Sequence, residues 1–136
     1  MIGTVYVVAL VNRSNQWHGQ AVSSVSTFTR NYFVVTDAIL LEIGSALAGR
    51  FRQRVIDSIR SFMEAPNIEI MYVTPDLFER GFAFYAERPD KEWSLVDCIS
   101  CDVMRMLGIS QVLTFDHHFA QAGFQPLVRG GADHRN

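Results

Sequence analysis

The sequence predicts an α/β fold, one domain with a central, mostly parallel β-sheet flanked by helices. Three observations predict it. Short apolar runs alternate with amphipathic stretches of roughly 10–15 residues, the spacing of βαβ units. Hydrophobic residues make up 49% of the chain and charged residues 19%, too apolar a balance for disorder. The length, 136 residues, suits one domain with a core of its own.

In chain order, Thr4 to Val11 (TVYVVALV) is β-branched and continuous, and on pattern alone it reads as a strand. Tyr32 to Val35 is a short strand. Asp37 to Ala48 is a helix with Ile39, Ile43, Ala46 and Leu47 on one face, ended by Gly49. Phe51 to Met63 is a second helix, burying Phe51, Val55, Ile59, Phe62 and Met63. After the break at Pro66-Asn67, Ile68 to Val73 is a strand. Thr74-Pro75-Asp76 starts a helix with a Thr N-cap, Pro in the first turn and an acid beside it, continuing to Glu87. Ser94 to Leu107 is a helix with Gly108 just past its end. Gln111 to Phe115 is a strand, His118 to Ala122 a short helix, and Phe124 to Leu127 a last strand. The domain is expected over residues 1–128, with a flexible polar tail over 129–136.

Several function classes drop out. Net charge is −2, so bulk charge does not advertise nucleic acid. No apolar run approaches the ~18 residues of a membrane span, and no basic segment precedes an apolar one at the N-terminus. The expected compartment is the cytoplasm, with no membrane partner. There is no P-loop, G-x-G-x-x-G, H-E-x-x-H or G-x-S-x-G. Cys98 and Cys101 form a lone C-x-x-C in mid-helix with no second pair, and read as buried inert thiols.

What remains is three carboxylates in unusual places. Glu42 lies inside ILLEIGSAL, at the edge of an apolar face. Asp97 sits in the first turn of an apolar helix. Asp116 directly follows the strand VLTF. Ligands of parallel sheets bind beyond the carboxyl ends of the strands. Carboxylates converging there repel one another unless a divalent cation neutralises them, and Mg²⁺ or Mn²⁺ takes oxygen ligands. The plainer alternatives stay open. Ser94 and Asp97 can form a capping box, Asp116 can be an N-cap, and Glu42 can be a solvated helix residue.

TDAILLEIGSAL (residues 36–47), WSLVDCISCDVMRMLGISQVLTFDHHFAQAGF (93–124) and the opening GTVYVVALVNRSNQWHGQA (3–21) resemble the PIN-domain family and, within it, VapC-type toxin ribonucleases. The resemblance covers residues 3 to 127. It implies a small α/β domain with a central parallel sheet and an Mg²⁺- or Mn²⁺-dependent endoribonuclease of a toxin–antitoxin system. Its partners would be an RNA substrate, a small antitoxin and a second copy in a homodimer. The family's second, third and fourth acidic positions fall on Glu42, Asp97 and Asp116. Ser94 and Thr114 match polar positions near the site, and Thr4 matches the Thr of an Asp-Thr pair. The Asp of that pair is Gly3 here, so catalysis is expected to be weakened. Either an internal or misassigned start has damaged the site, or the protein is a diverged, non-catalytic module that binds an antitoxin or RNA. The resemblance also makes Thr4 to Val11 the first helix rather than a strand.

Other residues carry two readings each. Arg50, Arg52, Arg54 and Arg60 are either RNA-phosphate contacts or a solvated face pairing with Asp57 and Glu64. His117 and His118 flank Asp116 and read as packing and capping more than metal ligation. Trp17 and Trp93 can stack bases or fill the core. Phe28, Phe33, Phe82, Phe84 and Tyr85 read as core or dimer surface.

Overall fold

The computed structural model describes residues 1–25, 31–115 and 117–127. The elements are α1 (Thr4–Val11), α2 (His18–Val25), β1 (Phe33–Thr36), α3 (Asp37–Ala46), α4 (Arg52–Glu64), β2 (Ile68–Met71), α5 (Pro75–Glu87), α6 (Leu95–Leu107), β3 (Gln111–Val112), α7 (His118–Gln121) and β4 (Gln125–Pro126). Phe28, Asp116 and the expected tail, 129–136, lie outside the described residues.

The strands pair in parallel, β1 with β2 and β3 with β4. Residues 1–3 join the two pairs. The Ile2 amide donates to the Val34 carbonyl at 2.9 Å, Leu113 donates to Met1 at 2.8 Å, and Gly3 donates to Leu113 at 3.0 Å. The order across the sheet is therefore β2, β1, residues 1–3, β3, β4. The two strand pairs and the Ile2–Leu113 bridge are parallel, as expected for βαβ connectivity. Strand β1 is buried along its whole length, as a central parallel strand must be.

Thr4–Val11 is helical, which corrects the strand read from its pattern. Tyr6, Val7, Ala9 and Val11 are all buried, because α1 is packed against α2, α3 and α4. A helix buried on several sides shows no 3.6-residue period, so its short apolar run is indistinguishable from a strand. The apolar face of α3 is also corrected. Leu40 is buried, Ala46 is exposed, and the helix ends at Ala46 with Leu47 as its cap rather than running to Ala48. On α4 only Val55 is fully buried, Met63 is 62% exposed, and Phe51 precedes the helix.

The local signals for α5 and α6 take the expected form. The Thr74 hydroxyl accepts from the Leu77 amide at 3.1 Å with Pro75 in the first turn. Ser94 and Asp97 form a reciprocal capping box, and Gly108 closes α6 in the left-handed region at φ 70°. Helices α5 and α6 pack together at Gly81, where a Cβ would lie 2.5 Å from Ile99 Cγ1.

Candidate active site

The carboxyl edge of the sheet is where the polar side chains gather. Helix α3 starts directly from the end of β1, with the Thr36 hydroxyl capping the Ile39 amide at 3.2 Å. One turn further on, Glu42 is half-buried between exposed Leu41 and buried Ile43. Its Oε1 accepts the Thr4 hydroxyl at 2.5 Å, a charge-assisted bond that ties α3 to the first residue of α1. Gly3 stands one residue before Thr4, in the centre of the sheet. A Cβ there would meet Thr114 Cβ at 3.3 Å and Thr114 Oγ1 at 3.4 Å. Thr114 is itself buried, so Gly3, Thr4, Glu42 and Thr114 form one cluster where the central strands end.

Asp97 approaches from α6. Its Oδ2 accepts the Ser94 amide at 3.1 Å, while its own amide donates to the Ser94 hydroxyl at 3.0 Å. The same oxygen lies 3.8 Å from His118 Nδ1, across the turn between β3 and α7. The Trp93 indole N–H donates to the His118 carbonyl at 3.0 Å, holding α6's first turn against that of α7. Leu95, Val96 and Ile99 of α6 face Asp37, Leu41 and Glu42 of α3 across a cleft of about 490 Å³. Glu42 and the first turn of α6 thus border one space.

The carboxylates and hydroxyls here offer oxygen donors, which suit a hard divalent cation in type, with the His118 ring nitrogen beside Asp97. In number the described residues fall short, since no three of their His, Cys, Asp or Glu side chains stand close enough to hold an ion. A site built on Glu42 and Asp97 therefore depends on position 116, two residues beyond Thr114.

The other residues singled out in the sequence are placed as follows. Arg54 reaches the Leu10 carbonyl at 3.5 Å, and Arg50 lies over the Phe51 ring. Arg52 and Arg60 are exposed. Asp57 accepts from Gln53 rather than from an arginine, which corrects the expected charge pairing. Phe33 is buried, Phe84 is half-buried against Trp93, and Phe82 and Tyr85 are exposed. Both cysteines are buried. Burial pushes the Cys98 thiol up to about 11, helped by the nearby Asp97 charge, and that of Cys101 up to about 12. Neither is a nucleophile at neutral pH.

Three contacts had no signal in the sequence: the Thr4–Glu42 bond, the approach of His118 to Asp97, and the acceptance by Asp37 Oδ1 of the Val73 amide at 2.9 Å. Each joins residues far apart in the chain.

The fold and this carboxylate-bearing edge define a PIN-type domain. The family profile described as PIN domain matches residues 6–125, and the chain belongs to that family. It is similar to the 23S rRNA-specific endonuclease VapC20 of Mycobacterium tuberculosis, 27% identical over 123 residues that span 90% of this chain and 93% of VapC20. The crystal structure of VapC20, described as a sarcin–ricin loop cleaving toxin, superposes with a TM-score of 0.84 over 95% of this chain and 98% of that one.

Proposed function

We propose that the protein is a divalent-metal-dependent endoribonuclease that cleaves RNA phosphodiesters, the toxin half of a toxin–antitoxin pair. Whole-chain kinship in sequence and fold with an rRNA endonuclease is the observation that carries this reading. Glu42, Asp97 and Asp116 are the residues proposed to hold Mg²⁺ or Mn²⁺. Such an ion, when bound, acidifies water and offsets the charge that develops on the phosphate.

The chain's own residues prepare the site. The Thr4 hydroxyl holds one oxygen of Glu42 and leaves the other for a ligand. The capping box fixes the rotamer of Asp97. Buried Thr114 packs the floor beneath Gly3. Arg50 and Arg52 are offered as phosphate contacts, whereas Arg54 spends a donor on Leu10. Exposed Phe78, Phe82 and Tyr85 on α5, with Leu41 opposite, support protein partners, a small antitoxin and a second copy of the chain. The cytoplasm is the proposed compartment.

Gly3 favours a second reading, a non-catalytic PIN module that binds an antitoxin or RNA. The deciding experiment incubates the purified protein with a 23S rRNA fragment, with Mn²⁺ or with EDTA, and maps the new ends. The first reading predicts slow, metal-dependent cleavage that vanishes in Asp97→Ala. Equal cleavage by Asp97→Ala sinks it. No cleavage by the parent or by Gly3→Asp, with both folded, favours the second reading.

A further inference from the structure

The geometry points to Arg88 and Arg105, two guanidiniums seated on the aromatic rings of the α5–α6 hairpin, as a phosphate-binding ladder that holds the RNA backbone. The inference deepens the ribonuclease reading, on which it rests, by naming where the substrate is gripped. It needs no metal.

The ladder joins cations and rings in one array. Arg88 lies over the Trp93 ring at 5.4 Å. Trp93 stacks on Phe84 with centroids 5.2 Å apart. Arg105 lies over Phe84 at 4.4 Å and over Phe124 at 5.8 Å. The rings are firmly held. Trp93 is buried, and its indole N–H donates to the His118 carbonyl at 3.0 Å. Phe84 and Phe124 are half-buried against the core. Both arginines are exposed. A ring face attracts a guanidinium without using its N–H donors, which lie in the guanidinium plane. The plane is steadied while its edge stays open to solvent. A planar fork on a rigid base suits bidentate binding of a phosphodiester.

The charges favour an anion here. Among the described residues no carboxylate pairs with Arg105, and Asp102, one turn back on α6, accepts from Arg80 at 2.8 Å instead. Arg88 has only Asp90 at 3.7 Å, an exposed pair that water and salt screen. The last turn of α6 welcomes any cation through the helix dipole, but that asks for neither a guanidinium nor two rings beneath it. The ladder also runs close to the candidate site. Burial raises the Cys98 thiol and the positive charge of Arg105 opposes that rise, so Arg105 is felt at the residue next to Asp97. At the other end, Trp93 immediately precedes Ser94, the residue that caps α6 and fixes Asp97.

The test measures binding of a fluorescein-labelled 23S rRNA fragment by anisotropy, in EDTA and over a range of salt. It compares the full chain with Arg88→Gln, Arg105→Gln and Arg105→Lys. Arg13→Gln, exposed between α1 and α2, is the charge-matched control, and melting curves confirm that each variant folds. Each Gln variant on the ladder should weaken binding by about tenfold, the scale of one charge-assisted contact. Each should also flatten the dependence of log K on log salt by about 0.7–0.9, as for one lost phosphate contact. Arg105→Lys should keep the slope and recover part of the affinity, because an ammonium keeps the charge without the fork. Arg13→Gln should bind like the parent. Unchanged binding in both ladder Gln variants overturns the proposal. So does an equal loss in Arg13→Gln, which reduces the effect to bulk charge. Displacement of the RNA by polyglutamate at matched charge also overturns it, and assigns the ladder to an acidic protein. A parent that cleaves RNA while the ladder variants bind normally fails the ladder alone. A parent that binds RNA through the ladder yet never cleaves it fails the ribonuclease reading alone.

Discussion

Gly3→Asp is the most informative single perturbation. Gly3 caps α1 with an extended backbone, φ −96° and ψ 158°, and no side chain there bonds the helix. That conformation suits any residue, so an added side chain brings no backbone strain. Asp is a good N-cap, yet its gain over Gly is only a few tenths of a kcal/mol. Against this, the Cβ would press on Thr114 Cβ at 3.3 Å and on the Leu113 carbonyl at 3.4 Å, and the carboxylate would be buried. Without an ion that burial costs upwards of about 3 kcal/mol, since a charged group loses more solvation than a neutral one. The variant should therefore melt below the parent in EDTA, by about 4 °C for each kcal/mol. Mn²⁺ reverses the balance if position 3 faces the metal site. A roughly tenfold tighter site adds about 1.4 kcal/mol at a fixed saturating concentration. The Mn²⁺-induced rise in melting temperature should then be about 5 °C larger than the parent's. Scanning calorimetry of both proteins, with Mn²⁺ and with EDTA, measures this directly. A folded Gly3→Asp protein whose Mn²⁺ shift is no larger than the parent's refutes the reasoning.

Two further predictions concern the frame that carries Asp97. Gly81→Ala puts a methyl 2.5 Å from Ile99 Cγ1 and 3.1 Å from its Cα. At 2.5 Å the overpacking falls at the upper end of the usual range of about 1–3 kcal/mol and outweighs the roughly 1 kcal/mol gained in helix propensity, so chemical denaturation should show a net loss of about 2 kcal/mol. Cys98 and Cys101 should resist thiol reagents at pH 7, because burial raises both far above that pH and keeps them neutral. Labelling should proceed only at the rate of local or global opening, and modification within seconds in the native protein would contradict the packing around α6.

Much of the fold was legible because local chemistry and global packing agree. Thr74-Pro75, the Ser94–Asp97 box and Gly108 are short-range devices that work in any context, and each appears in its expected form. Thr4–Val11 misled for a physical reason. Burial on several sides erases the helical period, and β-branched residues then imitate a strand. The resemblance corrected it through the register of the downstream Q-W-H. Strands also came out shorter than their apolar runs, since β3 and β4 keep only two residues each in the ladder. At the site, the candidate carboxylates were visible as polar residues interrupting apolar runs. Their mutual placement was not, because it runs through Thr4 to Glu42, thirty-eight positions apart, and through Trp93 and His118 around a turn. Side-chain contacts of that range leave no periodicity behind.

The central claim is that Glu42, Asp97 and Asp116 act together as one divalent-cation site. Mn²⁺ calorimetry at neutral pH on the parent and on Asp97→Asn tests it most directly, because Asn can still accept the Ser94 amide and keep α6 capped. Saturable binding by the parent that disappears in Asp97→Asn is the predicted result. Binding that survives the substitution unchanged, or no binding by the parent at all, contradicts the claim.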